Sequence, residues 1–410
     1  MMGRGLYTLL LRLALPFVVL RWWWRGAREP LYREGIAERF GRYALQARPK
    51  LLWIHAVSVG EARAAAPLVD ALAREFPGHA LLVTCITAAG RATLKRLYGE
   101  SALVAYLPYD LPEAVRRFLE HFRPRLGVLM ETEVWPNLLA ACRENGVPVA
   151  LVNARLSEKS ARGYARFARL SRPAFASLAC ACAQSDADAA RLRALGAPRV
   201  EVSGNLKFDV APEPAQLATG HAWREHLGRP VLLLASTREG EEQMLLDALP
   251  PWDGKLLVLV VPRHPPRFDE VARLAQSRRS SGADPASLDR VHLGDTMGEM
   301  AFYYAACDVA VIGGSFAPLG GQNLIEALAA GAPVVLGPSM YNFAEATQLA
   351  LEAGAAIQAS EASTAMSEAL NLIGDAPRRA RMSEAGTKLC ATHRGAAARH
   401  LEVLKNLLNS

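Results

Sequence analysis

Several segments of this chain carry residue types suited to accepting protons and binding anions. His55-Ala-Val-Ser-Val-Gly60-Glu61 puts a glycine and then a carboxylate at the start of a helical stretch. A helix N-terminus favours the charged form of a carboxylate, so Glu61 can accept a proton, or it can merely cap. Glu131-Thr-Glu133-Val-Trp135-Pro-Asn137 sets two acids beside an indole, which costs desolvation unless the acids find partners. Pro136 equally suits a structural turn that opens a helix. Arg155, in Asn153-Ala-Arg-Leu-Ser157, is able to take a phosphate or to form a surface ion pair. Lys207, in Ser203-Gly-Asn-Leu-Lys-Phe-Asp209, is placed to reach into a cleft from a hinge.

The second half has its own set. Ala235-Ser-Thr-Arg-Glu-Gly-Glu-Glu242 looks like a helix N-cap region, with Ser236 or Thr237 capping and Arg238 reaching outward. Val261-Pro-Arg263-His264-Pro-Pro-Arg267 holds an arginine rigidly between prolines, a frame that suits a phosphate or a base. Gly313-Gly-Ser-Phe-Ala-Pro-Leu-Gly-Gly321-Gln-Asn323-Leu-Ile-Glu326 is the sharpest segment. Glycines there let backbone N–H groups approach an anion, and the helix start adds positive potential. Glu326, one turn into that helix, is set to grip a ribose diol or to sit in solvent. Neither the dinucleotide fingerprint nor the P-loop pattern is present, which argues against NTP hydrolysis.

Strands must position these residues. Non-alternating apolar runs at Leu51–Ala56, Ala80–Cys85, Ala102–Leu107, Leu126–Met130, Pro148–Asn153, Ala179–Gln184 and Val200–Ser203 read as strands buried on both faces. The pattern restarts after Gly204–Pro214 with Val231–Ala235, Leu256–Val261, Val291–Leu293, Val309–Gly313 and Pro333–Leu336. Helical stretches alternate with them, including Glu61–Phe76, Glu239–Ala248 and Arg267–Gln276, while Ser277–Ser287 reads as loop. The expected fold is two Rossmann-like, doubly wound α/β domains facing across a cleft, with ligands beyond the carboxyl ends of the strands.

Composition narrows the class. The chain has 410 residues, 51% of them hydrophobic, which excludes a mainly disordered protein. Six cysteines without a CxxC pair read as buried thiols in a reducing compartment. Residues 1–50 hold ten basic and three acidic residues, an excess equal to the whole net charge of +7. That leaves no basic stripe over a folded body, so no nucleic-acid partner is expected. Gly5–Leu20 is apolar apart from Arg12, and Trp22, Trp23 and Trp24 follow beside Arg21 and Arg25. Aromatic rings suit the headgroup region, and Arg25, Arg28 and Arg33 would meet anionic lipid. The stretch reads as a membrane anchor that lies in or just spans the bilayer. The expected map is an anchor over 1–25, an acceptor domain over 26–205, a donor domain over 206–390 and a C-terminal helix over 391–410.

Taken together, these segments resemble the 3-deoxy-D-manno-octulosonic acid (Kdo) transferases of lipopolysaccharide assembly. The matching stretches include His55–Glu61, Tyr106–Pro112, Met130–Asn137, Gly204–Asp209, Ser236–Glu242, Pro262–Phe268, Gly294–Glu299 and Gly313–Glu326, in order. The resemblance implies a GT-B fold and an inverting, metal-independent transfer of Kdo from CMP-Kdo, without a cofactor. Its acceptor would be a lipid A precursor, tetraacyldisaccharide 1,4'-bisphosphate, at the cytoplasmic face of the inner membrane. Carried over, Glu61 matches the general base, and Glu131 and Lys207 match transition-state stabilisers. Pro262, Arg263, Met297, Gly298, Glu299, Asn323, Leu324, Ile325 and Glu326 match CMP contacts, with Ser236, Gly314 and Ser315 beside them on the donor side. Trp135 and Arg155 are the acceptor-side candidates. Arg238 departs from the family, which often carries His there. The competing expectations are another GT-B enzyme acting on a UDP-sugar and a non-catalytic nucleotide-sugar binding protein.

Overall fold

The computed structural model describes residues 3–28, 33–251 and 254–409. The chain divides into two compact units, residues 1–210 with 395–410, and residues 211–394.

The first unit is built on β1 (Leu51–His55), β2 (Ala80–Cys85), β3 (Leu103–Tyr106), β4 (Leu126–Met130), β5 (Val149–Ala154), β6 (Cys180–Ala183) and β7 (Val200–Val202). They form one parallel sheet in the order β3-β2-β1-β4-β5-β6-β7. Helices cover both faces, which is why the strands read as unbroken apolar runs. Leu52, Ile54 and Val128 pack on one side against Leu68, Leu72, Val403 and Leu404. Trp53, Leu129 and Leu151 pack on the other against Phe118, Phe122 and Phe175. The C-terminal helix Ala396–Asn409 therefore belongs to this first core. The unit continues to Val210, past the boundary expected at 205, because Leu206 and Phe208 are buried and Asp209 accepts the Gly395 and Ala397 N–H groups. That extension puts Lys207 in the first unit.

The second unit contains β8 (Val231–Thr237), β9 (Leu257–Pro262), β10 (Ser277–Arg278), β11 (Val291–Leu293), β12 (Val309–Ile312), β13 (Val334–Leu336) and β14 (Ala356–Gln358). The order is β10-β11-β9-β8-β12-β13-β14, again parallel throughout. Three features differ from expectation, the first being the edge strand β14, which the sequence did not announce. Part of the segment read as loop forms the edge strand β10, where Ser277 bonds His292 at 2.9 Å. The helix expected over 267–276 is broken into short turns over Pro265–Arg267, Phe268–Val271 and Ala272–Leu274.

The N-terminal helix Arg4–Arg28 is long and apolar enough to cross a membrane by length and composition. One face is tied to the first unit along its length. Tyr7 Oη donates to Asp110 at 3.0 Å, Thr8 bonds Asn137, and Arg12 meets Glu113 at 3.0 Å. Trp22 covers the buried guanidinium of Arg39 at 3.3 Å, and Tyr106 lies 3.9 Å from that guanidinium. Trp22 is thus turned to the body and is not part of an exposed aromatic belt. Leu9, Leu13, Phe17, Leu20 and Trp23 are exposed. The side chains of Arg25 and Arg28 lie outside the described residues.

Candidate active site

Glu61 sits in the first turn of the helix Val59–Ala64, capped by Ser58. Its carboxylate accepts the Val57 N–H at 2.9 Å and the Ser58 hydroxyl at 3.3 Å, so it does cap. It is also largely buried. Burial first, then the charges of Glu131 and Glu133, push its pKa up to about 8 despite those hydrogen bonds. A carboxyl poised near neutrality is a competent proton acceptor.

Glu131 follows β4 and pairs with Lys207 at 2.9 Å, both side chains 15% exposed. Burial pulls the Glu131 pKa upward, but the Lys207 charge and hydrogen bond, with Arg155, outweigh it and hold the carboxyl below its ordinary value. Glu133 accepts Trp135 Nε1–H at 2.6 Å, and burial with the neighbouring Glu131 raises its pKa. The carboxyl ends of β1 and β4 thus gather one ionised acid locked to Lys207 from beyond β7, two acids with raised pKa, and an indole. The Asp110 carboxylate holds this arrangement from behind. It accepts the Asn137 and Leu138 N–H groups at 3.0 and 2.7 Å and so caps the helix that starts at Pro136.

A further network was not legible from spacing. His400 on the C-terminal helix accepts the Asn153 N–H at 2.9 Å through Nε2 and donates through Nδ1 to the Ala396 carbonyl at 2.7 Å. Asn153 Oδ1 accepts the Leu206 N–H at 3.0 Å, next to Lys207. Glu131, Asn153 and Ser236 have left-handed φ angles of 56°, 51° and 56° where they leave or end their strands. That conformation costs about 1–2 kcal/mol for a residue with a Cβ. It turns the chain sharply at sites that carry function in such folds.

In the second unit the candidates cluster after β8, β9 and β12. Glu242 accepts Thr237 Oγ1–H at 2.6 Å and holds Arg267 by two bonds of 2.6 and 3.0 Å. Arg263 Nε donates to Gln322 at 3.2 Å, and its N–H donates to Thr237 O at 3.0 Å. Asn323 caps the helix Leu324–Ala329 and donates to Glu326 at 3.0 Å. Thr296 donates to Glu299, and Met297 is exposed at the turn where Gly298 has φ 87°.

The glycine-rich loop behaves differently from expectation. Its Gly314 and Phe316 N–H groups donate to the buried carboxylate of Glu241 at 2.6 and 3.0 Å, with Ala317 N–H at 3.4 Å. An internal anion already occupies that cradle. Ser315 is fully buried, donating to Ile312 O and accepting from Gly337 N–H. Leu324 and Ile325 are core side chains. These residues shape the loop, and Gly314, Asn323, Glu326 and Arg263 remain the candidates for ligand contact. Gly313 is required sterically, since a Cβ there would meet the Thr237 Cα at 2.5 Å. Among the described residues no group of three or more His, Cys, Asp or Glu is arranged to hold a metal ion.

Two parallel, doubly wound sheets with the candidate side chains at their carboxyl ends define the GT-B class. Solved structures agree in fold. The Staphylococcus aureus MnaA–UDP complex superposes with TM-score 0.60 at 18% identity, over 88% of this chain and 97% of that one. A UDP-GlcNAc 2-epimerase from Neisseria meningitidis gives 0.56 at 15% identity, over 88% and 100%. Sequence comparison is more specific, and the chain belongs to the Kdo transferase family. The family model described as 3-deoxy-D-manno-octulosonic-acid transferase (kdotransferase) matches residues 34–210. A Bordetella pertussis 3-deoxy-D-manno-octulosonic acid transferase is 49% identical over 99% of this chain and all of its own length. One from Haemophilus influenzae is 34% identical over 99% of each chain. The chain is accordingly an enzyme of the glycosyltransferase class.

Proposed function

We propose that the chain transfers Kdo from CMP-Kdo, with inversion, to a hydroxyl of a lipid A precursor at the cytoplasmic face of the inner membrane. The single observation that supports this most is Glu61, a buried carboxyl with its pKa near 8 beside the Glu131–Lys207 pair. In the ionised form Glu61 takes the acceptor hydroxyl proton. The acceptor oxygen then bonds to the anomeric carbon as the bond to the CMP phosphate breaks. That carbon develops oxocarbenium character, which the Glu131 carboxylate stabilises, while Lys207 stabilises the departing phosphate. Arg263, Asn323 and Glu326 hold the cytidylate, with Ser236, Pro262, Met297, Gly298, Glu299 and Gly314 forming its surroundings. Trp135 and Arg155 contact the acceptor. The exposed apolar face of the helix Arg4–Arg28 enters the leaflet that carries that acceptor.

The test is mass spectrometry of the product formed from tetraacyldisaccharide 1,4'-bisphosphate and CMP-Kdo. A mass increase of one or more Kdo units is expected, formed far more slowly by Glu61→Gln while CMP still inhibits the residual turnover. Normal turnover by Glu61→Gln would reject the base. Displacement of CMP by UDP-sugars would reject the donor class.

A further inference from the structure

Arg238 stands at the carboxyl end of β8, and its surroundings give it a use. It follows β8, with the glycine-rich loop following the adjacent β12. In an open α/β sheet ligands enter beyond the carboxyl ends of the strands where the winding reverses, here beside the first strand of the unit. The backbone of Arg238 is fixed, because its N–H donates to Glu241 Oε2 at 2.9 Å. Its stem lies over Gly314, where an added Cβ would stand 3.5 Å from Arg238 Cγ. Its Nη1 donates to His264 Nε2 at 3.0 Å. Burial and the charges of Arg238, Arg263 and Arg267 depress the pKa of that imidazole, so His264 stays neutral and offers a lone pair.

Three other arginines of this unit are committed to acids. Arg267 is committed to Glu242 and Glu270, Arg278 to Asp295, and Arg279 lies against Glu299. Among the described residues Arg238 meets no carboxylate through its guanidinium, only the neutral His264. A guanidinium held at the carboxyl end of the sheet without an acid is an anion site waiting for its partner, and its planar fork matches a carboxylate.

Resting on the reading that this unit binds a CMP-linked sugar acid, we infer that Arg238, braced by His264, binds the carboxylate of the donor sugar. Such a donor carries two anions, the phosphodiester and the sugar carboxylate. Arg263, fixed on Gln322, serves the nucleotide end. The carboxylate then needs its own cation, since an unpaired buried charge opposes binding strongly. Arg238 therefore selects a sugar acid over a neutral sugar on the same nucleotide.

The experiment compares CMP with CMP-Kdo on purified full-length protein carrying Arg238→Ala, Arg238→Lys or Arg238→His. The KM for CMP-Kdo should rise about ten- to a hundredfold in Arg238→Ala, the range of a lost charge-assisted hydrogen bond. The inhibition constant of CMP should change less than about threefold, because CMP lacks the carboxylate. Arg238→Lys should fall between, keeping charge without the fork. Equal weakening of CMP and CMP-Kdo would overturn the assignment and move Arg238 to the phosphate. An unchanged KM in Arg238→Ala with an unaltered melting curve would leave it a packing residue. Absence of CMP inhibition in the unsubstituted protein would instead reject the donor reading itself.

Discussion

Lys207 and Glu131 meet at 2.9 Å across 76 residues of sequence, and the pair is nearly closed to solvent. A buried ion pair is strongly destabilised when one partner is removed and much less when both are replaced by apolar groups. Lys207→Ala should therefore cost about 3–5 kcal/mol in urea unfolding of the first unit. Lys207→Met with Glu131→Leu should recover most of it while remaining inactive. The pH dependence should also reverse. In the native chain Lys207 holds the Glu131 pKa down, so its contribution is present above the ordinary carboxyl pKa and is lost as pH falls through the folded value. In Lys207→Ala burial dominates, and stability should fall as pH rises above that range.

Glu61 yields two readouts from one shift. With a folded pKa near 8, log kcat/KM should climb with unit slope toward pH 8 and level off above it. Glu61→Gln should lower kcat by about 10²–10⁴-fold and abolish that limb. A raised pKa means that the folded state keeps a proton the unfolded chain releases. Stability linked to Glu61 is thus full below the ordinary value of 4.5 and declines as pH rises to about 8. Glu61→Gln keeps the capping oxygen, so it should melt higher than the native chain at pH 9 and the same at pH 4.5.

Glu241 predicts a loop defect rather than a chemical one. Its carboxylate receives the Gly314 and Phe316 N–H groups, and removing it leaves buried donors unpaired at about 1–3 kcal/mol each. Glu241→Ala should weaken CMP inhibition at least about tenfold and lower the melting temperature, whereas kcat at saturating donor should fall far less. An unchanged CMP inhibition constant would show that the loop keeps its shape without the carboxylate.

What was legible in the sequence follows from physics. Strands such as Leu51–His55 and Leu126–Met130 are buried on both faces, so their apolar runs announced them. The two-residue β10 and three-residue β14 bury too little to leave a pattern. Glu61 and Glu131 were visible because each lies in the segment that leaves a strong strand. Glu241 was not singled out, because its partners lie 73 and 75 residues away and the pairing exists only once β8 and β12 are adjacent. His400 was hidden for the same reason, 247 residues from Asn153. A left-handed φ at Glu131 or Ser236 has no sequence signature, since neither is glycine or asparagine.

His400 carries an acid prediction. It accepts a hydrogen bond through Nε2, and burial pushes its pKa down to about 4. The unfolded chain binds a proton near 6.5 that the folded chain refuses. Its contribution is therefore present above pH 6.5 and lost as pH falls toward 4, at about 3 kcal/mol if fully realised. Thermal melts of His400→Gln should show a shallower loss between those pH values. An identical acid slope would remove His400 from the account.

The N-terminal helix needs a variant that separates membrane contact from folding. Deleting residues 1–25 would strip Tyr7 from Asp110 and Trp22 from Arg39, uncovering a guanidinium that is 1% exposed with no hydrogen-bond partner on its nitrogens. Loss of activity there would mix two causes. Leu13, Phe17 and Leu20 are 62%, 74% and 64% exposed, so their replacement by serine leaves the docked face intact. Burying each such side chain is worth about 1.5–3 kcal/mol, so partitioning onto phosphatidylethanolamine–phosphatidylglycerol vesicles should fall by about tenfold or more per substitution. The melting temperature and CMP inhibition should stay at the native level, and turnover of a detergent-dispersed acceptor should survive better than turnover of a vesicle-bound one. Undiminished sedimentation of the triple variant with vesicles would show that another surface docks the protein.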